Sequence, residues 1–477
     1  MSEKSKMPRN LAYVASYTIL SKIITISGSI YLLRTLSPYD FGIVALCTIL
    51  TSAFKIFENF GINTALVKRK NNTRIDYESA FMMKLAIGII FTFFIYLIAP
   101  WWALWYEEPD LSILLRVLSI YFVVSPFLLV PNAKMYRALD YKKRMYPNLL
   151  RPLVWASISS FLAFNGYGYW SLIYGTIISE TIRVIAFNFV SPWKIGFGVS
   201  RKSVSELFSF GKWVFLSGIF FYSYNFIDSV IISKFLSITV LAYYSVAYRW
   251  AHLLTDNIRS IYIEVLFPTL SKNQKDETFI RTGFLDSVKY VSLIIYPIAF
   301  GIISIADVFV NVVIGAKWAP SILPLQILAI SGLARGLMLG GPIFYVKSKP
   351  EYSTYTVALN AFILAILVYT FVLWKGMIGV CFAVAISFSF MTILQYIIVS
   401  KMINLSLAKI FKKMLIPLFS SIIMALSTIW MKAQIINTYT TITFLFMVIL
   451  SVVIYIVLIH LLSRGKLMHD TKKIFFE

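Results

Sequence analysis

Apolar runs of 18 or more residues recur from one end of this chain to the other, and each is long enough to cross a hydrocarbon core of about 30 Å as a single helix. Fourteen such spans are expected, near residues 10–33, 41–67, 80–105, 111–135, 146–164, 169–190, 210–235, 240–267, 284–314, 322–346, 352–374, 377–402, 414–431 and 441–462. Only helices and closed barrels satisfy every backbone group inside lipid, and runs of this length are helical. The fold class expected is therefore an all-α polytopic membrane protein with about 14 transmembrane helices. Composition agrees, since 59% of the 477 residues are hydrophobic and 14% are charged, against about 25% charged in a soluble domain. Prolines at 126, 131, 297, 324 and 342 fall inside spans, where neighbouring helices must take up the freed backbone groups.

A formal net charge of +23 would suit a nucleic-acid binder if it were gathered on one face. Instead it alternates. Loops on one side hold, among others, Arg69, Lys70, Lys134, Arg137, Lys142, Lys143, Lys194, Arg201, Lys272, Lys275, Lys347, Lys409, Lys413, Arg464, Lys466, Lys472 and Lys473. The other side holds Arg34, Lys234, Lys317, Lys375, Lys432 and the acidic turn Glu107-Glu108-Pro109-Asp110. The bias, about 28 to five, is that of membrane topology; it predicts both termini cytoplasmic and excludes nucleic acid as a partner. The first apolar run is too long for a signal-peptide core and is expected to stay in the mature protein. The loops are too short for a soluble domain; the most polar, Gly196–Phe210 and Ser406–Lys413, are read as interfacial helices or as plain loop.

Catalytic signatures are absent. There are three histidines and no H-E-x-x-H, and no G-x-x-x-x-G-K-[ST] phosphate loop occurs, so neither a metal site nor an ATP-driven subunit is expected. Cys47 and Cys381 lie in separate apolar runs and read as small buried hydrophobes. The chain is not read as an enzyme.

Offset by 200 residues, the sequence matches itself weakly. Tyr31-Leu32-Leu33-Arg34-Thr35-Leu36-Ser37 aligns with Ile231-Ile232-Ser233-Lys234-Phe235-Leu236-Ser237, and the next helices open with Phe41-Gly42 and Leu241-Ala242. Two six-helix halves in parallel orientation are expected, residues 1–195 and 196–404, followed by two further helices and a tail over 405–477; such repeats place a substrate site at their interface.

Charges inside the spans cluster on a few helices. Arg249, His252, Asp256 and Arg259 share one face of the eighth span at spacings of three, four and three. The first span carries Lys22, the second Lys55 and Glu58, the seventh Asp228 and the tenth Arg335. A central charge facing lipid costs about 2.5–3.5 kcal/mol on insertion scales, so these groups should face water or one another. Internal pairing would join Lys55 to Glu58 and Asp256 to Arg249 or Arg259. Lys84, Arg116, Arg151, Arg183, Lys212 and Lys289 lie nearer span ends, where snorkelling is the default, with Glu180 pairing to Arg183. Trp101, Trp102 and Trp105 read as belt anchors.

Blocks along the chain resemble the polysaccharide flippases, of colanic-acid-exporter type, in the multidrug/oligosaccharidyl-lipid/polysaccharide exporter superfamily. They are Leu32-Leu33-Arg34-Thr35-Leu36-Ser37-Pro38-Tyr39-Asp40-Phe41-Gly42, Phe57-Glu58-Asn59-Phe60-Gly61-Ile62, Tyr136-Arg137-Ala138-Leu139, Phe267-Pro268 and Gly315-Ala316-Lys317-Trp318. The resemblance implies two six-helix bundles about a central cavity lined by helices one, two, seven and eight, in a bacterial cytoplasmic membrane. It also implies alternating access and an undecaprenyl-pyrophosphate-linked oligosaccharide as cargo, with polysaccharide polymerase or export machinery as partner. Arg249, Arg259, Lys22, Lys55 and Arg335 are then candidates for headgroup or glycan contacts, because cations at depth replace the water lost around phosphate. Asp228, Asp256, Glu58 and His252 are candidates for H+ or Na+ coupling, or for counter-ions; no other cofactor is expected. Alternatives are a lipid-linked peptidoglycan-precursor flippase, a drug/cation antiporter of the same superfamily, and a membrane glycosyltransferase or polymerase.

Overall fold

The computed structural model describes residues 3–59, 61–68, 72–138, 140–434 and 439–463. Arg69, Lys70, Arg464, Lys466, Lys472 and Lys473 of the basic segments, and Phe60 and Leu139 of the family blocks, lie outside the described residues, as does the side chain of Lys212. Among the described residues the protein is helical throughout, and each expected span corresponds to a helical segment. These are α1 (Glu3–Thr35), α2 (Pro38–Asn59), α3 (Arg74–Tyr106), α4 (Asp110–Val124, continued by Leu129–Arg137), α5 (Tyr141–Phe164), α6 (Trp170–Val190), α7 (Arg201–Phe235) and α8 (Ile238–Lys272). Then follow α9 (Glu277–Val308), α10 (Ile322–Gly336, continued by Gly341–Val346), α11 (351–374), α12 (377–402), α13 (Leu407–Gln434) and α14 (Thr441–Leu462).

The α11–α12 turn is only two residues long, Lys375 and Gly376, with Gly376 at φ 55°. Without a Cβ, glycine enters that left-handed region freely, so the chain reverses without a loop. The two polar connectors resolve differently from a separate interfacial helix: residues 196–200 are extended, and from Arg201 and Leu407 onward the chain is already in α7 and α13. Nine stretches among the described residues are long and apolar enough to cross a membrane by hydropathy alone. Helices α5, α7 and α8 are not among them.

Packing divides the chain into two compact units, Met1–Phe226 and Ile227–Glu477. In the first, α2, α3 and α6 pack on α4, and α5 packs between α1 and α6. In the second, α8, α9 and α12 pack on α10, and α13 and α14 lie against α9. Within each unit the fourth helix is thus packed by the helices two and one before it and two after it. Helix boundaries repeat as well: α1 and α7 end at Thr35 and Phe235, and α2 and α8 begin at Pro38 and Ile238. Ser37 Oγ accepts from the Asp40 N–H at 3.2 Å, and Ser237 Oγ from the Val240 N–H at 3.3 Å, the hydroxyl filling the N-cap role in both turns.

The fourth helix of each unit is broken, and the sixth repairs it. Pro126 opens a 3-10 turn, Ser125–Leu128, in α4, and Asn188 of α6 donates to the Phe127 carbonyl at 3.0 Å. In α10 the chain leaves the helix at 337–340, where Tyr396 of α12 donates to the Leu337 carbonyl at 2.8 Å and Gln395 accepts from the Gly340 N–H at 3.3 Å. A polar side chain supplies what water would supply in a soluble protein. Cys47 and Cys381 are both free and buried.

Candidate functional site: two intramembrane polar networks

The six-helix core of the first unit gathers charge from four helices, α2, α3, α5 and α6. Glu58 of α2 is almost fully buried; its Oε1 lies 3.4 Å from Lys84 Nζ of α3 and accepts a short hydrogen bond from Ser125 of α4. Glu180 of α6, equally buried, lies 2.8 Å from Arg151 Nε of α5 and 3.2 Å from Arg183 Nη1. Arg183 also donates through Nη2 to Asn148 Oδ1 at 3.1 Å. Lys55 stands over the Tyr121 ring, 4.5 Å from its centroid, in the field of Glu58, Glu180 and Arg151. Four cations, Lys55, Lys84, Arg151 and Arg183, thus meet two carboxylates, leaving two positive charges in excess at membrane depth.

The expected pairing of Lys55 with Glu58 is replaced by Lys84. Residues three apart on one helix can touch, but α3 brings Lys84 to the carboxylate from across the bundle. The snorkelling reading of Lys84 and Arg183 is corrected in the same way, since they turn inward to Glu58 and Glu180, whereas Arg151 reaches Glu180 with half of its side chain exposed. The expected Glu180–Arg183 pair is present. Arg116 stacks on the Tyr96 ring at 4.3 Å, and Trp101 and Trp105 are exposed, in keeping with a belt. The signal that points to this network in the sequence is the recurrence of single charges on adjacent apolar spans, each needing a partner.

In the second unit α8 and α10 run parallel and meet in a ladder of constant register. His252 Nε2 lies 3.1 Å from Ser331 Oγ, Asp256 Oδ1 lies 3.0 Å from Arg335 Nε, and Arg259 Nε donates to the Met338 carbonyl at 3.3 Å. The last rung takes up a carbonyl freed by the α10 break. His252 Nδ1 sits 2.9 Å from the Tyr248 carbonyl and its ring stacks on Tyr248 at 4.1 Å, so both nitrogens are engaged. Arg335 Nη1 donates to Tyr248 Oη at 2.8 Å. One turn away, the buried Asp228 of α7 accepts from Tyr244 Oη at 2.5 Å and from the Ser229 N–H at 2.6 Å.

The predicted stripe on α8 is therefore divided. His252, Asp256 and Arg259 reach α10, whereas Arg249 is exposed. Asp256 pairs with Arg335 rather than with an arginine of its own helix. Lys22 is exposed on α1.

Residues 31–323 match the family model described as polysaccharide biosynthesis protein. The chain belongs to that family. The end of α1, helices α2 to α9 and the first residues of α10 fall within the match, which takes in the first network and the α7 and α8 side of the second. Among relatives, the chain is 24% identical over 309 residues to the teichuronic acid biosynthesis protein TuaB of Bacillus subtilis (strain 168), covering 63% of each chain. It is 25% identical over 319 residues to the lipopolysaccharide biosynthesis protein WzxC of Escherichia coli (strain K12), covering 65% of this chain and 63% of that one. The matched regions thus span under two thirds of these relatives' lengths. Among solved structures, the lipid II flippase MurJ in an inward closed conformation has a TM-score of 0.80 at 15% identity, over 96% of this chain and 100% of that chain. At 15% identity that likeness shows a shared fold.

Proposed function

We propose that this family member is a flippase that carries an undecaprenyl-pyrophosphate-linked oligosaccharide across the bacterial cytoplasmic membrane by alternating access of its two bundles. The observation that carries this reading is the cation surplus held at membrane depth, four cations against two carboxylates among α2, α3, α5 and α6. Such a surplus suits an anionic headgroup and would repel the cations of a drug antiporter. Arg249 and Lys22, exposed on spanning helices, and Lys55, held by a ring and not by a dedicated carboxylate, are the groups best placed to meet pyrophosphate or glycan. Arg259 and Arg335 act at one remove, fixing α8 against α10. Of the coupling candidates, Asp228 has neutral hydrogen-bond partners among the described residues, whereas Glu58 and Asp256 are committed to cations. That difference supports Asp228 as the group that exchanges H+ or Na+.

The test is reconstitution into vesicles with a defined polyprenyl-pyrophosphate oligosaccharide, following its transfer between leaflets. The parent should move it, Arg249→Ala should slow transfer roughly tenfold or more through loss of a charge-assisted contact, and Asp228→Asn should uncouple transfer from an imposed ion gradient. A parent that moves no glycolipid, yet exports a cationic drug, would overturn the reading.

A further inference from the structure

At the basic-loop end of the first unit lies a cleft of about 360 Å³ lined by Arg74, Tyr77, Lys134, Trp193 and Lys194. It belongs to neither network. Its lining comes from three places in the chain: the start of α3, the end of α4, and the extended segment that follows α6. Three cations converge there, and Lys134 Nζ stands 5.6 Å from the centre of the Tyr77 ring. The nearby carboxylates are already occupied: Glu78 Oε1 lies 2.6 Å from Arg74 Nε and its Oε2 accepts from the Gly198 N–H at 3.1 Å, while Asp76 Oδ2 accepts from the Thr73 N–H at 2.8 Å. Trp193 packs edge-on against Phe81 at 5.3 Å, and its indole Nε1 is buried with no acceptor among the described residues.

The cleft is also held in shape. Ser79 Oγ accepts from the Ser200 N–H at 2.8 Å, and Ser203 donates a short hydrogen bond to Asp76. A Cβ at Gly196 or Gly198 would collide with the Glu78 carboxylate, so these two glycines let the extended segment lie directly on α3. Trp193 and Lys194 are thereby fixed against the bundle before any ligand arrives.

We infer that this cleft binds the phosphodiester headgroup of an anionic membrane lipid from the leaflet on the basic-loop side. The three cations are donors to phosphate oxygens, and the Tyr77 and Trp193 rings offer apolar walls to the glycerol and the first acyl carbons. Aromatic and basic side chains at helix ends sit at headgroup depth, where basic hollows between spanning helices take anionic lipids. The inference is independent of the transported cargo.

Native mass spectrometry of the full chain, purified and delipidated in neutral detergent, tests it with phosphatidylglycerol, phosphatidylcholine, glycerol 3-phosphate and inorganic phosphate as probes. Phosphatidylglycerol should bind saturably and more tightly than the other three. Lys134→Gln with Lys194→Gln should weaken it roughly 30-fold, from two lost charges near the surface. Lys194→Gln alone, at an exposed side chain, should weaken it about fivefold, and it decides should the double variant not fold. Equal phosphatidylglycerol affinity in the parent and in Lys194→Gln would overturn the inference. So would inorganic phosphate or glycerol 3-phosphate binding as tightly as the lipid, which assigns the cleft to a soluble anion.

Discussion

Glu58 is neutralised by Lys84, 3.4 Å away on the neighbouring α3, and not by Lys55, one turn back on its own helix. Two lysines that look equivalent in the sequence therefore have different work. Lys84→Met should leave a buried carboxylate unpaired and destabilise the protein by about 3 kcal/mol. Lys55→Met should change stability far less and act on transport. Thermal unfolding in detergent beside leaflet transfer separates them, and equal melting losses for the two variants would refute the distinction.

The ion pair between Asp256 and Arg335 predicts non-additivity. Arg335→Leu and Asp256→Leu should each lower the melting temperature. The double variant should regain part of the loss, with a coupling of about 1–3 kcal/mol, because two apolar side chains of fitting volume can replace a partly buried pair. Arg335→Lys should not restore the parent, since an ammonium cannot hold Asp256 and Tyr248 together in a planar fork.

Breaks in α4 and α10 are stabilised by single side chains. Tyr396→Phe keeps the ring and removes the only atom that reaches the Leu337 carbonyl from α12. It should cost about 1 kcal/mol, since the Leu339 N–H still donates to that carbonyl at 2.8 Å, and speed hydrogen exchange around residues 337–340. Asn188→Leu should act likewise at Phe127. Unaltered exchange at either break would count against this account.

Close crossings rest on two glycines. A Cβ on Gly88 would collide with the Phe122 carbonyl where α3 crosses α4, and one on Gly332 with the Ala251 carbonyl where α10 crosses α8. Backbone cannot yield as a side chain does, so Gly88→Ala and Gly332→Ala should each cost about 1–3 kcal/mol and lower the yield of folded protein. Gly341→Ala has open space and should be tolerated. Matched yields and melting temperatures for all three would show that these crossings can relax.

Several family blocks acquire physical reasons in the structure. Gly315 ends a π-helical turn, Phe309–Gly315, at φ 118°, and Trp318 of the same block is fully buried with its ring 5.9 Å from Tyr243. Ser37 and Asp40 close the α1–α2 turn on each other, Ser37 N–H donating to Asp40 Oδ2 at 2.8 Å. These residues shape turns between spans, so their order along the chain marks the fold without revealing what is carried.

Helical class and the succession of long apolar helices were legible in the linear chain, because both follow from a one-dimensional fact, the length of an apolar run. Partner choice was not. Glu58 could meet Lys55 or Lys84, and Asp256 could meet Arg249, Arg259 or Arg335, at similar local cost. Packing of α3 on α4 and of α8 on α10 selected among them. Nor could residue order disclose that Arg151, Glu180 and Arg183 converge, or that Trp193 and Lys194 fold back onto α3. Such meetings depend on which faces of adjoining helices close together, and that is settled only when the whole bundle satisfies its buried polar atoms at once.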